Sequence, residues 1–492
     1  CKGQRLNSKI LSSKIMSKNI SDFTQMTIKE NLEFLNKLED PTAKYIIDPL
    51  KKQLEALEYI GLSYLTLNRV TTTLSGGEAQ RLKLIRHLNS SLSDLVYIID
   101  EPSVGLHPED IAKINEILKS LKDKGNTVLI VEHDPDVIKE GDYIIDMGPG
   151  SGKNGGEITF EGTYNELLSS NTSTGNALRN KHNLKENIRE ANHFYNIGPV
   201  TQNNLNNVKT SIPKHVLTVL TGVAGSGKST LVKAGFENND HTIFIDQKAV
   251  QGSNRSNLLT YLGVFDSVRS FFSKETGLNK AMFSYNSKGA CPNCGGKGYI
   301  KTELAFMGDF SQTCEVCHGK RYKQEVLDAT IDGYSIADVL DLTVDEGIIF
   351  FDKKNDIKSK LQSVSKTGLN YMSLGQPLST LSGGEIQRVK LGQHLDEEIK
   401  NSIFIFDEPT TGLHESDIPI LMECFDDLID QNNTVILIEH NLSIMCEADW
   451  IIDVGPGPGL DGGKVQFSGT PKNFIDSSET LTSKHLKRYI KQ

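Results

Sequence analysis

The sequence predicts an α/β protein made of two related halves, each with a mostly parallel sheet covered by helices. Three observations indicate this class. A long stretch of sequence occurs twice in the same register, short apolar runs alternate with helical patterns, and one apolar run leads into a glycine-rich loop that ends in Lys228-Ser229. Short apolar strands that alternate with helices are typical of parallel sheets buried on both faces.

The duplication is the most informative of these features. Leu-Ser-Gly-Gly-Glu-x-Gln-Arg stands at Leu74–Arg81 and again at Leu381–Arg388, 307 positions later. The same offset relates the other repeated positions, namely Asp100-Glu101-Pro102 with Asp407-Glu408-Pro409, His133 with His440, Ile144–Asp146 with Ile451–Asp453, and Gly162-Thr163 with Gly469-Thr470. The glycine-rich loop occurs only once, so we expect the first half to lack its front part.

Length and composition are those of a globular protein with an ample core. The 492 residues include 37% hydrophobic and 24% charged residues, which suits about three domains. No apolar run approaches the ~18 residues that a membrane helix requires, so no membrane partner is expected. The start at Cys1-Lys-Gly-Gln has no signal-peptide core. We expect a cytoplasmic chain that is the C-terminal portion of a longer protein.

The predicted elements follow one another in a definite order. Residues 1–70 show helical spacing of apolar residues, and Val96–Asp100 and Thr127–Val131 are short runs typical of buried strands. A polar Ser/Thr/Asn stretch after Ser169 predicts a connector. The predicted domains are a first half at 1–168, a linker at 169–195, and a second half at 196–492 with an inserted module at 251–376.

A phosphate-binding loop of the Walker A type spans Gly222–Ser229, after the apolar strand Val216–Thr221. Its glycines let backbone N–H groups surround phosphate oxygens at a helix N-terminus. Lys228 is expected to reach the β- and γ-phosphates of ATP, and Ser229 to ligate Mg²⁺. Gly148–Lys153 looks similar but lacks the leading glycine and the hydroxyl residue after the lysine. The expected ATP and Mg²⁺ contacts are Gly222, Gly225, Ser226, Gly227, Lys228, Ser229, Thr230 and Asp407.

The chemistry of hydrolysis is expected from residues that follow apolar strands. Ile403–Glu408 ends in two acids. Asp407 is expected to hold Mg²⁺ through water, and Glu408 to orient or deprotonate the attacking water. His440 is expected to hydrogen-bond the γ-phosphate, and Gln247 to contact Mg²⁺ or the water. The predicted catalytic residues are Glu408, His440 and Gln247.

The repeated Leu-Ser-Gly-Gly-Glu signature is specific to the ATP-binding-cassette (ABC) superfamily of P-loop ATPases. A serine and two glycines at a helix start offer a hydroxyl and N–H groups to an anion. In such ATPases the signature serves the nucleotide held by the opposite half. The resemblance implies that Ser75, Gly76, Gly77 and Glu78 close over ATP held at Lys228. It implies equally that Ser382, Gly383, Gly384 and Glu385 face a Walker A loop that this chain lacks, and that Asp100, Glu101 and His133 belong to that incomplete site.

Four of the seven cysteines form two Cys-x-x-Cys pairs, Cys291/Cys294 and Cys314/Cys317. This spacing predicts a four-thiolate Zn²⁺ site built from two tight turns, with unpaired core thiols as the alternative. The segment Cys1-Lys-Gly-Gln-Arg mirrors Cys317-His-Gly-Lys-Arg321 in its Cys, Gly and Arg, so Cys1 is expected to be the last ligand of a truncated first zinc module. The remaining cysteines, Cys424 and Cys446, are expected to be packing residues.

Longer stretches point to one family within the superfamily. They are Asp100–His107, Gly125–Asp134, Arg255–Asn257, Phe283–Asn286, Cys314–Tyr322 and Leu374–Gln376. Over essentially its whole length the chain resembles the UvrA family, the damage-sensing component of the bacterial UvrABC excinuclease. The resemblance implies two fused ABC-type ATPase halves with an inserted signature domain that contains a zinc ribbon. It also implies a homodimeric ATPase, not itself a nuclease, that recognises damaged or distorted duplex DNA in nucleotide excision repair and the SOS response and loads the helicase-like UvrB component of the excinuclease.

Two alternatives stay open at this point. Gln251–Asn257 and Phe306–Asp309 differ from the usual sequences of the repair enzymes, and such differences are similar to those of UvrA-like paralogues that give resistance to DNA-binding antibiotics. The second alternative is the ATPase of a membrane transporter. Transport cassettes, however, have a helical subdomain between Walker A and signature where this chain has the cysteines.

A net charge of −10 excludes a chain that is basic throughout but leaves room for a local basic surface. Residues 280–323 carry six Lys and one Arg against three acidic residues. The resemblance implies DNA readout through deformability and backbone rather than base edges. Phe283 and Tyr285 are expected to pack rather than to stack on bases. The candidate phosphate contacts, each with a merely solvated side chain as the alternative, are Arg255, Lys288, Lys297, Lys301, Lys320, Arg321 and Lys323.

Overall fold

The structure of the chain is a computed structural model that describes residues 3–38, 40–74, 76–88, 92–180, 183–247, 256–304, 308–395, 397 and 399–491. The helices within these ranges are α1 (Ser8–Leu11), α2 (Ile20–Gln25), α3 (Ile28–Asn36), α4 (Lys44–Tyr59), α5 (Gly76–Leu88), α6 (Pro108–Asp123), α7 (Pro135–Ile138), α8 (Tyr164–Ser169), α9 (Ser173–Arg179), α10 (Lys228–Phe236), α11 (Leu258–Tyr261), α12 (Phe265–Thr276), α13 (Gln324–Leu327), α14 (Ile336–Asp341), α15 (Val344–Phe350), α16 (Asn355–Val364), α17 (Gly383–Leu395), α18 (Ile418–Asp430), α19 (Leu442–Glu447), α20 (Pro471–Ser477) and α21 (Leu481–Lys491). The strands are β1 (Val96–Asp100), β2 (Thr127–Val131), β3 (Ile144–Gly148), β4 (Glu157–Gly162), β5 (Phe194–Gln202), β6 (Leu205–Pro213), β7 (Leu217–Thr221), β8 (Thr242–Ile245), β9 (Tyr299–Leu304), β10 (Gly308–Thr313), β11 (Thr330–Ile331), β12 (Tyr334–Ser335), β13 (Ile403–Asp407), β14 (Thr434–Ile438), β15 (Trp450–Gly455) and β16 (Lys464–Gly469).

The second half is built on a six-stranded sheet in the order β16-β15-β7-β14-β13-β8. All neighbouring strands are parallel except β15 and β16, which are antiparallel. Every residue of β7 and β14 is buried, as are the first four residues of β13. Strands buried on both faces carry continuous apolar runs, which explains why Ile, Leu, Val and Phe follow one another here without alternation.

Two apolar layers cover this sheet. The antiparallel hairpin β5–β6 and helix α10 pack on one face, and helices α17 to α21 pack on the other. Because β7, β13 and β14 are parallel, their carboxyl ends meet at the same edge. The loop after β7, the acid pair after β13 and His440 after β14 therefore lie together at that edge.

The first half contains the strands predicted for it, but one of their faces is exposed. The described residues supply two separate pairs, parallel β1–β2 and antiparallel β3–β4, and no strand between β2 and β3. The prediction of fully buried strands at Val96–Asp100 and Thr127–Val131 is therefore wrong for this face. Six outward apolar side chains are 48–71% exposed, namely Val96, Ile98, Leu129, Val131, Ile145 and Met147.

The reason for the exposure is visible in the second half. The residues 307 positions later are at most 1% exposed, namely Ile403, Ile405, Ile436, Ile438, Ile452 and Val454. There the hairpin β5–β6, strand β7 and helix α10 cover them. The described part of the first half has no counterpart of these elements, and burial depends on the partner layer as much as on the strand's own residues.

The N-terminal region is helical, as predicted. Helices α3, α4 and α6 enclose an apolar core that includes Leu32, Leu54 and Ile114. A separate core forms between the Walker A region and the second signature, where helices α11, α12 and α14 to α17 pack around Phe272 and Leu361. The hairpin β9–β10 joins the two cysteine pairs. No helix of the described residues is long and apolar enough to cross a lipid bilayer. The domain limits drawn from the sequence remain predictions.

Candidate functional site

The Walker A loop is formed by the turn between β7 and α10. The backbone at Gly222 passes so close to β15 that a Cβ there would lie 2.0 Å from the carbonyl oxygen of Val454. The loop also places Gly227 just before the helix and Lys228 at its first position. The Lys228 ammonium donates hydrogen bonds to the carbonyl oxygens of Gly222, at 2.7 Å, and of Val223, at 3.0 Å.

Polar groups at the loop suit an anionic ligand. Lys228 is buried, and burial lowers the pKa of its ammonium to about 8, against the opposing effect of Glu408 and Asp407. The hydroxyl of Ser226 is fully buried and has no hydrogen-bond partner among the described residues. A buried cation and an unpartnered hydroxyl at a helix N-terminus are groups that a phosphate would satisfy.

Ser229 and Asp407 form the part of the site that fits Mg²⁺. The hydroxyl of Ser229 donates to Asp407 Oδ1 at 3.3 Å, and Lys233 lies 3.4 Å from Oδ2 of the same carboxylate. The backbone carbonyl of Asp407 accepts a 2.6 Å hydrogen bond from Gln387 of α17. Hydroxyl and carboxylate oxygens are the ligands that Mg²⁺ prefers, with water and phosphate completing its shell.

Glu408 is held in a strained and electrostatically unusual position. Its φ of 54° is left-handed, which is rare for a residue with a side chain and frequent at functional sites. Burial raises the pKa of the Glu408 carboxyl to about 7, and the neighbouring carboxylates of Asp407 and Glu439 act in the same direction. Lys228 and Arg81 oppose the rise. A carboxyl with a pKa near neutrality is suited to general-base chemistry.

His440 and Gln247 lie beside this carboxylate. His440 is 6% exposed, its backbone N–H donates to Glu439 at 2.7 Å, and its Nδ1 has no partner among the described residues. Burial, followed by the charge of Lys228, holds the pKa of the imidazole well below its usual range. The Gln247 side-chain amide donates to the Glu408 carbonyl at 3.2 Å and to Thr411 Oγ1 at 2.9 Å. The structure thus brings all three predicted catalytic residues together, while their roles remain predictions.

Residues of the first half surround the Walker A loop of the second half. The ring of Tyr64 faces the loop, since a Cβ on Gly225 would lie 3.0 Å from it. The hydroxyl of Tyr64 donates to Glu78 Oε1 of the first signature at 2.7 Å. Lys29 pairs with Asp461 at 2.8 Å in the same region. Ser75 lies outside the described residues, but Gly76, Gly77 and Glu78 begin helix α5 beside this contact.

The loop that follows the first acid pair reaches Glu408. A Cβ on Gly105 would lie 2.7 Å from Glu408 Oε2. The imidazole of His107 packs edge-to-face on His440, with 5.8 Å between ring centroids. Arg81, which ends the first signature, is 2% exposed and near enough to Glu408 to oppose the rise in its pKa. The two halves thus contribute to one cluster around Lys228.

The reciprocal cluster repeats this geometry with fewer elements. Glu101 also has a left-handed φ, of 45°, and His133 Nδ1 lies 4.0 Å from its carboxylate. Tyr371 donates to Glu385 of the second signature at 2.8 Å, and the backbone N–H of Ser382 donates to the same glutamate. Gly383 packs against Gln247, and a Cβ on Gly384 would lie 2.1 Å from the carbonyl of Thr411. Asp100 and Glu101 line a cavity of about 700 Å³ beside β1.

The four predicted zinc ligands converge. The Sγ atoms of Cys291, Cys294, Cys314 and Cys317 all lie within 4.8 Å of one another, and the side chains are buried. Two of the separations are 4.0 Å and 3.7 Å, close to the ~3.8 Å edge of a tetrahedron with Zn–S bonds of ~2.3 Å. Backbone N–H and side-chain amide groups donate to two sulfurs, as expected around thiolates. The cluster therefore fits Zn²⁺, while Cys1 lies outside the described residues.

The candidate DNA contacts divide into two groups. Four of the lysines are exposed, namely Lys288, Lys297, Lys301 and Lys323. The backbone N–H of Lys323 donates to the carbonyl oxygen of Gly289 at 2.9 Å. Lys320 pairs with Asp338 at 2.8 Å, and the Arg321 guanidinium covers the ring of Tyr285 at 5.3 Å. Phe283 and Tyr285 are fully buried, as predicted. Arg255 lies outside the described residues.

Sequence reasoning missed Tyr64, Arg81 and His107 as residues of the composite cluster. A signal for Tyr64 was present, because Gly61–Leu65 and Gly368–Met372 share Gly, Leu and Tyr at the same offset of 307. Extending the duplication upstream of the signature would have marked both tyrosines. Their contact with the opposite half, however, arises only from the pairing of the halves.

Comparisons with known proteins show what the chain is similar to. A family model described as ABC transporter matches residues 205–411. UvrABC system protein A of Clostridium perfringens is 42% identical over all of this chain and 56% of its own length. The proteins of the same name from Aquifex aeolicus and Bacillus subtilis are 41% and 40% identical, with 58% and 56% of their lengths covered. The chain thus spans a little over half the length of these curated relatives.

Solved structures give the same result. The crystal structure of UvrA2 from Deinococcus radiodurans matches 99% of this chain and 65% of its own chain, with a TM-score of 0.93 at 37% identity. A model of ribosome-bound archaeal Pelota and ABCE1 shares the fold, with a TM-score of 0.51 at 18% identity. The fold is that of paired ABC-type P-loop ATPase halves, and over its whole length the chain is similar to the proteins named UvrABC system protein A.

Proposed function

We propose that this chain is part of a DNA-repair ATPase that binds ATP and Mg²⁺ between its two halves and recognises damaged or distorted duplex DNA. The observation that carries the proposal is the contact of first-half residues with the Walker A loop and with Glu408 of the second half. Gly105 lies so near the Glu408 carboxylate that a Cβ on it would stand 2.7 Å from Oε2, and Tyr64 links the first signature to Gly225. The named UvrABC relatives support the repair role.

In the proposed mechanism, each group of the site has one task. Lys228 and the loop N–H groups bind the β- and γ-phosphates, and Ser229 with Asp407 would hold Mg²⁺, which would neutralise phosphate charge when bound. Glu408 accepts a proton from the water as the water oxygen attacks the γ-phosphorus and the bond to the ADP oxygen breaks. His440, neutral because burial lowers its pKa, keeps a ring nitrogen for the γ-phosphate, and Gln247 orients the water.

The signature of the first half completes this site. Gly76 and Gly77 begin a helix, and the N–H groups at a helix start attract an anion. The hydroxyl of Tyr64 donates a hydrogen bond to Glu78. We assign the same roles to Ser382, Gly383, Gly384 and Glu385 at the reciprocal site, where Asp100, Glu101 and His133 would act on a nucleotide held by a Walker A loop from outside the described residues.

The zinc module is the proposed DNA-binding part. Zn²⁺ would fix the two cysteine turns and the hairpin β9–β10, and exposed lysines around it would contact backbone phosphates. We further propose a homodimer, the helicase-like UvrB component of the excinuclease as partner, and a cytoplasmic location. A resistance paralogue is not favoured, since the curated relatives above carry the name of the repair protein. A four-cysteine cluster between Walker A and signature disfavours a transport ATPase.

The test of the nucleotide site compares two lysines in loops of similar sequence. Lys228→Ala should abolish ATP binding and hydrolysis, because it removes the buried cation of the Walker A loop. Lys153→Ala is the matched control: this lysine follows Gly148–Gly152 but pairs with Glu346 at 2.8 Å on the surface, so the variant should bind and hydrolyse ATP like the unaltered chain. Equal hydrolysis by the two variants would remove Lys228 from the proposed role.

A further inference from the structure

Three histidines stand in a row across the contact between the halves. His107 of the first half lies between His440 and His485 of the second, with ring centroids 5.8 Å and 5.7 Å apart and both pairs edge-to-face. His107 is fully buried. It caps helix α6 and ends the loop that carries Gly105 to the Glu408 carboxylate. Its position therefore governs how that loop meets the catalytic groups.

The hydrogen bonds of His107 define its tautomer. The backbone N–H of Glu109 donates to Nδ1 at 3.2 Å, so that Nδ1 carries no proton. Burial lowers the pKa of this imidazole to about 3, which keeps the ring neutral. The remaining proton is on Nε2, which lies 3.0 Å from the hydroxyl oxygen of Thr482 and donates to it.

Thr482 passes the hydrogen-bond chain to the Walker A region. Its hydroxyl donates to Asp453 Oδ1 at 3.4 Å, and both side chains are 2% exposed. Asp453 pairs in the sheet with Thr221, the residue directly before the Walker A loop. A series of hydrogen bonds thus connects the first-half loop, through helix α21, to the strand beside the nucleotide site, and each donor in it points the same way. We define His107, Thr482 and Asp453 as the latch.

The same arrangement occurs in the reciprocal direction. The Ser416 backbone N–H donates to His414 Nδ1 at 3.2 Å, and His414 Nε2 lies 3.1 Å from Thr174 Oγ1. Thr174 in turn donates to Asp146 Oδ1 at 2.7 Å. His414 and Asp146 are the counterparts of His107 and Asp453 at an offset of 307 positions. An equivalent chain of hydrogen bonds is therefore present on each side of the contact. This indicates that it is a regular feature of how the two halves pair.

We propose that His107 and Thr482 are positioning residues for ATP hydrolysis, and that docking of α21 through the latch sets the first-half loop against Glu408 and His440. The proposal rests on the proposed ATPase function of the composite site. Neither residue is expected to touch the nucleotide. The latch should therefore act on the hydrolytic step rather than on the affinity for ATP.

The experiment compares Thr482→Val, Thr482→Ser and Thr174→Val in the full chain. Valine keeps the shape of threonine but removes the hydroxyl and with it both hydrogen bonds of the latch. Thr482→Val should therefore lower kcat at least about tenfold, with KM for ATP unchanged. Thr482→Ser keeps the hydroxyl and should restore the rate. Thr174→Val alters only the reciprocal latch and should leave kcat unchanged.

A second readout does not depend on turnover. Hydrogen–deuterium exchange in residues 481–491 should rise in Thr482→Val with ATP bound, and not in Thr174→Val. If Thr482→Val fails to fold, His107→Gln, which keeps a donor near the position of Nε2, should retain a higher kcat than His107→Leu. Equal kcat for Thr482→Val and Thr482→Ser, or for His107→Gln and His107→Leu, overturns the proposed role of the latch. Hydrolysis that is insensitive to Lys228→Ala overturns the proposed function instead, whatever the Thr482 variants do.

Discussion

Gly105 allows a direct test of whether the first half shapes the hydrolytic site of the second. Its φ of 66° is left-handed, where an alanine costs about 1 kcal/mol of stability. A Cβ there would stand 2.7 Å from Glu408 Oε2, whereas ordinary contact begins at 3.4 Å. In Gly105→Ala the carboxylate must therefore move by roughly 0.7 Å away from its present position.

That displacement predicts a loss of rate with little loss of binding. Misplacing a catalytic group by about 1 Å can cost on the order of 10²-fold in rate, so kcat of Gly105→Ala should fall about 30-fold. The affinity for ATP should change little, because Gly105 contacts Glu408 rather than the Walker A loop. Phosphate release under steady-state conditions measures kcat, and titration with a fluorescent ATP analogue measures the affinity.

Gly412 provides the matched control. Its φ is 69°, so Gly412→Ala carries the same backbone strain. The nearest atom to its Cβ is Glu101 Oε1 at 3.7 Å, which is an ordinary contact in the reciprocal cluster. Gly412→Ala should lose about 1 kcal/mol in urea unfolding, as Gly105→Ala does, and keep its kcat. Equal kcat for the two variants would refute the reasoning, since strain alone would then account for any effect.

Two further predictions concern the catalytic carboxylate and the metal. Because burial raises the pKa of Glu408 to about 7 and lowers that of Lys228 to about 8, kcat/KM should fall on the acid side as Glu408 is protonated and on the alkaline side as Lys228 loses its proton. A kcat/KM that does not change between about pH 6 and 9 would contradict the roles assigned to Glu408 and Lys228. Glu408→Gln should bind ATP but hydrolyse it at least ~10²-fold more slowly. Elemental analysis should find one Zn²⁺ ion in the unaltered chain and none in Cys294→Ser, and this variant should bind a bubble-containing duplex more weakly in fluorescence anisotropy. Cys446→Ala, which removes a buried thiol outside the cluster, should keep both, and retained zinc in Cys294→Ser would reject the four-thiolate site.

The sequence predicted the parts of the site that follow strand ends. Continuous apolar runs marked β7, β13 and β14, and a parallel sheet places the residues after such strands at one edge. Lys228, Asp407 and His440 were therefore predictable as neighbours from local sequence alone. The cysteine cluster was predictable for a similar reason, because two short turns fix the positions of four sulfurs.

Contacts between the halves were much less predictable. His107 reads locally as a helix cap, and its partner Thr482 lies 375 positions away in a helix with no motif. The exposure of Val96 and Ile98 was likewise not predictable from the sequence. An apolar strand sequence indicates that the strand is suited to burial, but not whether the described residues include a layer that covers it. Pattern reasoning therefore identified the catalytic groups and missed the residues that position them.

The pairing of the halves also sets the electrostatics of hydrolysis. Glu408 becomes a base only when its carboxyl is ionised, and burial works against this by raising its pKa. Two cations oppose that effect, Lys228 from the same half and Arg81 from the other. Arg81 is fixed by a 3.2 Å hydrogen bond to the carbonyl of Ile60, within the first half. Separating the halves would withdraw this charge and would also expose the carboxyl to water, so the pairing sets both the burial that raises the pKa of Glu408 and one of the charges that oppose the rise.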